Sequence, residues 1–139
     1  MITGGLRRIL VSLAVPIGVL ALAGCSSLSP DGAAAGDVAL AFSAALRDAE
    51  AGQACELLAE STRTGLESRA ETPCDSAILE EDLPLADAVV EVAAFGRNAR
   101  VILDGDVVFL MVEAGDWKVL AAGCEFRSTQ PYDCSLEAS

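Results

Sequence analysis

Histidine is absent from this 139-residue sequence, and lysine, tyrosine and tryptophan occur once each. The missing histidine removes the side chain that most often carries acid–base chemistry near neutral pH. It also removes the usual companion of cysteine at zinc, and no Cys-x-x-Cys pair is present, so no metal or other cofactor is expected. Basic residues are scarce, nine against 21 acidic ones, for a formal net charge of −12. A surface of that sign is repelled by phosphate, which excludes nucleic acid as a partner. A helix crossing a membrane needs roughly 20 consecutive apolar residues. The apolar run over residues 9–23 is shorter, and Ser12, Pro16 and Gly18 interrupt it.

That run is nevertheless organised. Arg7 and Arg8 precede it, no acidic residue occurs before Asp31, and Leu22-Ala23-Gly24-Cys25 closes it. A positive start, a short apolar stretch and small residues ahead of a fixed position are the marks of a secretory signal. Cysteine at that position is not needed for ordinary secretory cleavage. Leu22-Ala23-Gly24-Cys25 resembles the lipobox of bacterial lipoproteins. The resemblance implies that residues 1–24 are a removable signal peptide, that Cys25 carries a diacylglyceryl group, and that the chain is anchored by lipid on the extracytoplasmic face of the cell membrane. Acyl chains hold a protein to a bilayer by burying methylenes, at about 0.8 kcal/mol each. Residues 25–36, rich in Ser, Ala and Gly, read as the lipidated flexible tether. Its eleven residues after Cys25 would reach about 18 Å by random-coil scaling.

Cleavage before Cys25 would take Arg7 and Arg8 away and leave seven basic against 21 acidic residues, a formal charge of −14. Such a surface is also repelled by anionic headgroups, so lipid rather than a basic patch makes the expected attachment. Four cysteines then remain: Cys55, Cys74, Cys124 and Cys134. An even number in a small exported domain implies disulfides, for which three pairings exist. Cys55–Cys74 and Cys124–Cys134 are the local pairings, each closing a short loop worth about 3 kcal/mol in the chain-entropy model.

Residues 37–139 form the expected single domain. Asp37 can cap a helix that ends near Gly52, with Val38, Phe42, Ala45, Leu46 and Ala49 along one face. A second helix is predicted over 53–62, an irregular stretch over 63–73 and a short third helix over 74–81. The period then changes to two, predicting strands over 88–95, 99–104, 107–113 and 117–122, with hairpin turns at Gly96-Arg97-Asn98, Asp104-Gly105-Asp106 and Gly115-Asp116. Helices first and an antiparallel meander after them make an α+β plan. Val107-Val108-Phe109-Leu110-Met111-Val112 is apolar on both faces. The helices can cover one face, leaving the C-terminal tail, a second subunit or a protein partner for the other.

The helix, the break at Gly52, the segment Ala54-Cys55-Glu56-Leu57-Leu58 and the final strand Gly115-Asp116-Trp117-Lys118-Val119 resemble the NTF2-like (cystatin-like) superfamily. The ending Pro131-Tyr132-Asp133-Cys134 is similar to the tails of small lipoproteins of high-GC Gram-positive bacteria that carry such domains. The resemblance implies helices packed on a curved sheet that encloses a conical pocket, used by some members for isomerase or hydrolase chemistry and by others for binding or dimerisation. Phe42, Leu46, Phe109 and Trp117 are the expected pocket-lining residues.

Catalytic residues do not assemble in the sequence. Asp104 and Asp106 read as solvated turn residues, Glu91 and Glu113 as outward strand residues, and Glu80-Glu81-Asp82 as a surface run. Tyr132, between two cysteines, is expected to pack on a disulfide. The expected function is therefore a lipid-anchored, non-catalytic binding or accessory module for a small apolar ligand or a protein partner. The alternatives are an NTF2-like enzyme and a structural envelope lipoprotein.

Overall fold

The computed structural model describes residues 31–129 and 131–139. The expected signal peptide, Cys25 and the first part of the tether lie outside the described residues. The chain is α+β: four helices pack on one face of an open five-stranded antiparallel sheet.

Helix α1 spans Gly32–Arg47. Its cap is Asp31, whose side chain accepts from Ala33 N at 3.0 Å, so the helix is capped six residues ahead of the expected Asp37 and absorbs tether residues 32–36. Small side chains make this placement favourable. Ala35, Gly36 and Ala39 are buried, and a Cβ on Gly36 would stand 3.2 Å from Val92 and 3.3 Å from Val89. Composition that reads as a flexible linker is here the close-packing stripe of a helix. Nor does Gly52 end α1. Ala49, at φ 56°, turns the chain after Asp48, and Gly52 lies inside α2, Ala51–Leu57.

The predicted second helix is divided. Leu58 is extended and forms an isolated parallel bridge to Val119, and α3 then runs Glu60–Ala70 through the stretch expected to be irregular. Helix α4, Cys74–Ala77, continues as a 3-10 turn over Ile78–Glu80.

Strands β1 (Val89–Phe95), β2 (Asn98–Leu103) and β3 (Val107–Glu113) fall where the alternation placed them. Strand β4, Asp116–Phe126, outruns its expected end, and a fifth strand, β5 over Tyr132–Glu137, pairs with it. The sheet order is β1-β2-β3-β4-β5, every neighbour antiparallel.

Between sheet and helices the space is filled. Phe42, Leu66, Ile78, Val101, Leu110 and Leu136 are fully buried there, each worth about 1.5–3 kcal/mol of transfer free energy. The two buried polar side chains are spent on backbone. Ser43 Oγ donates to Ala86 O and accepts from Ala86 N, and Thr62 Oγ1 donates to Leu120 O. Both disulfides are the local ones expected: Cys55–Cys74 joins α2 to α4, and Cys124–Cys134 joins the register partners of β4 and β5. No helix among the described residues is long and apolar enough to cross a membrane.

Candidate functional site

Alternation along β2 and β3 sends Ala99, Val101, Leu103, Val108, Leu110 and Val112 to the helices. Arg100, Ile102, Val107, Phe109 and Met111 go to the opposite, outer face, and all five are only half-buried. In cross-strand register Ala93, Arg100, Phe109 and Ala121 form one row, and Phe95, Asn98, Met111 and Lys118 the next. The outer face of β3 is apolar, as its sequence required, and the C-terminal hairpin covers part of it.

That cover rests on Tyr132. Its ring stands edge-on to Phe109 with centroids 5.0 Å apart, and Phe126 stands edge-on to Tyr132 at 6.0 Å. Edge-to-face pairs of this kind add about 0.5–1.5 kcal/mol beyond burial. Tyr132 therefore packs between two phenylalanines, because the hairpin brings its ring to the outer face. Arg127 reaches Asp133 at 3.0 Å and Glu125 at 3.7 Å, and Cys124–Cys134 crosses the hairpin just behind.

A cleft of about 470 Å³ remains beside this cover, lined chiefly by Phe95, Arg100, Phe109, Pro131 and Tyr132. Its walls are mostly aromatic. Phe95 is 70% exposed and Phe126, at the hairpin, 74% exposed, a large apolar surface for a chain with only six aromatic residues. Arg100 is the cleft's one charged side chain. Its Nη2 donates to Glu91 Oε1 at 2.8 Å, and this bond, with the nearby Tyr132, raises the guanidinium's pKa. Arg100 Nε is buried without a hydrogen-bond partner among the described residues. The floor thus presents a fixed, already neutralised charge beneath apolar walls.

The expected pocket residues are dispersed. Phe109 lines the outer cleft; Phe42 is buried in the core; Leu46 borders a hollow of about 180 Å³ beside Ile78. Trp117 lines a cleft of about 420 Å³ with Asp31, Val38 and Leu57, and its Nε1 donates to Asp31 O at 3.0 Å, fastening the start of α1 to β4. The sequence marks neither Phe95 nor Arg100 as a site residue and gives Tyr132 only a packing role. Their one sequence signal is weak: each lies within two residues of a turn, beside an apolar strand.

The acidic candidates are structural. Asp104 is exposed and accepts from Asp87 N and Ala88 N, which lowers its pKa. Asp106 is not the solvated turn residue expected. It borders a cavity of about 510 Å³ and accepts from Val107 N, Gly123 N and Cys124 N, at 2.7, 3.0 and 3.2 Å. Burial raises its pKa against the pull of those bonds. Glu113 accepts from Glu60 N at the head of α3, and Glu91 is held by Arg100. Among the described residues no cluster of three or more His, Cys, Asp or Glu could hold a metal ion.

The chain matches no family model, no curated protein and no solved structure.

Proposed function

We propose that this chain is a lipid-anchored protein of the extracytoplasmic membrane face, and that its folded part is a non-catalytic, NTF2-like binding module that takes an apolar group into the outer-face cleft. The observation that carries this reading is the aromatic cleft over Arg100. Concave, mostly apolar sites with one fixed polar group are the usual form of small-ligand pockets. The anchor rests on Leu22-Ala23-Gly24-Cys25, and two local disulfides are in keeping with export.

Binding is favoured over catalysis by how the polar groups are used. An acid–base pair would have to meet at one substrate atom. Here Glu91 is tied to Arg100, Asp106 to three backbone amides, and Ser43 and Thr62 to carbonyl groups. The space between helices and sheet, where a catalytic cone would open, holds Phe42, Leu66 and Ile78.

Native mass spectrometry of the full chain extracted from membranes in mild detergent tests the proposal. The expected spectrum shows a chain beginning at Cys25 with a diacylglyceryl mass and a retained apolar ligand that Phe109→Ala releases. An intact N-terminus with unmodified Cys25 overturns the anchor. A ligand retained equally by the Phe109→Ala variant overturns the cleft.

A further inference from the structure

Among the described residues strand β1 forms one edge of the open sheet, and β2 is its only strand partner. Among the described residues no other backbone or side-chain hydrogen bond reaches the main chain of Val89–Phe95, so its outer edge presents unpaired N–H and C=O groups. Proteins commonly blunt such edges with lysine, proline, a β-bulge or a short strand, and here the one irregularity is confined to the start of the strand. This edge, Val-Val-Glu-Val-Ala-Ala-Phe, has neither lysine nor proline, and Val90 and Phe95 are 65% and 70% exposed. A register shift between Val89 and Glu91 leaves Glu91–Phe95 regular and able to pair.

Charge separates this edge from the rest of the molecule. Between Leu83 and Leu103 the charges cancel: Asp87 and Glu91 against Arg97 and Arg100. Glu91 is bonded to Arg100 and Asp87 to Arg47. The other described residues carry 19 acidic against five basic side chains. A second copy approaching them meets like charge, whereas at β1 it meets a neutral apolar strand identical to its own. A basic partner, by contrast, would be drawn to the acidic surfaces and away from this edge.

We propose that β1 is a self-association edge, pairing antiparallel with β1 of a second copy across a twofold axis. Antiparallel pairing is its own mirror under that symmetry. An axis through Val92 sets Glu91 opposite Ala93, and one through Ala93 sets it opposite Phe95, so neither register places two carboxylates face to face. Phe95 belongs both to this edge and to the cleft wall, so the edge is tested at Val90, which does not line the cleft.

The test is sedimentation of the full-length chain in density-matched detergent, alone and as Val90→Lys. The expected result is a concentration-dependent dimer in the micromolar range, weakened about tenfold or more by the charged, solvated side chain that Val90→Lys places on the apolar edge, with an unchanged circular dichroism spectrum. Hydrogen exchange should show the β1 amides that point away from β2 protected only in the dimer. A strict monomer overturns the proposal, as does a dimer indifferent to Val90→Lys. Protection of those outward amides at dilutions where the chain is monomeric also overturns it, because another segment or polypeptide then covers the edge.

Discussion

At the scale of single residues, the two aspartates flanking Gly105 illustrate how environment reverses a shared chemistry. Asp106 turns inward and satisfies the amides of Gly123 and Cys124 where β4 runs past the start of β3. Truncation as Asp106→Ala strands those donors and is expected to lower unfolding free energy by about 1–3 kcal/mol, measured by urea denaturation. Because burial raises its folded pKa, the group's contribution is full below its unfolded value near 3.8 and declines as pH rises through the raised folded value. The loss on Asp106→Ala is therefore greater in acid than at neutral pH. Asp104 behaves in the opposite sense. Its pKa is lowered by the amides of Asp87 and Ala88, so its contribution is present above the unfolded value and vanishes as pH falls through the lowered one. Asp104→Ala should shift the urea midpoint at neutral pH and leave it unchanged in strong acid. Identical cost for the two variants across that range would contradict these assignments.

At the scale of elements, the hairpin of β4 and β5 decides what the outer face can do. Gly123, at φ 65°, lies where a Cβ would meet Leu83 at 3.0 Å and Ser135 at 3.1 Å, and Cys124–Cys134 closes the paired strands beyond it. Replacing both of these cysteines by serine should cost about 3 kcal/mol by loop entropy. It should also free Tyr132 from Phe109, visible as a lost ring-current shift. Replacing Cys55 and Cys74 should cost a similar amount, yet leave the Tyr132 contact intact, since that bridge lies among the helices. This hairpin was also the element least legible in the sequence. Tyr132–Glu137 has a single fully buried residue, Leu136, so it carries no apolar alternation to read. Strands β2 and β3 were legible because their buried positions alternate and short turns bound them. The start of α1 was not, since Gly32 to Gly36 earns its place by fitting closely on β1, a tertiary cause that composition does not encode. The cleft was invisible for the same reason. Phe109 and Tyr132 are distant in sequence and meet only after the hairpin folds, whereas short spacing already favoured the local cysteine pairing among the three possible.

At the scale of the molecule, one sign of charge dominates. Six of the seven described basic side chains are held by carboxylates or carbonyl groups at 3.0 Å or closer, and Arg69 reaches Glu81 at 3.9 Å. The acidic excess is left to repel itself, and salt screens such repulsion over about 10 Å at 0.1 M. The melting temperature should therefore rise with sodium chloride; a fall would show that the ion pairs outweigh the repulsion. Against this acidic shell the outer cleft is the aromatic, charge-paired region, and its role as a binding site is the central claim. The only tyrosine of the chain lies in it, so 3-fluorotyrosine gives a single fluorine resonance from the site itself. Titrating the full chain in detergent with N-phenyl-1-naphthylamine, a neutral aromatic probe suited to apolar walls over a paired charge, should move that resonance saturably. Phe109→Ala should abolish the shift. A resonance that stays fixed while the probe binds elsewhere would contradict the assignment of this cleft.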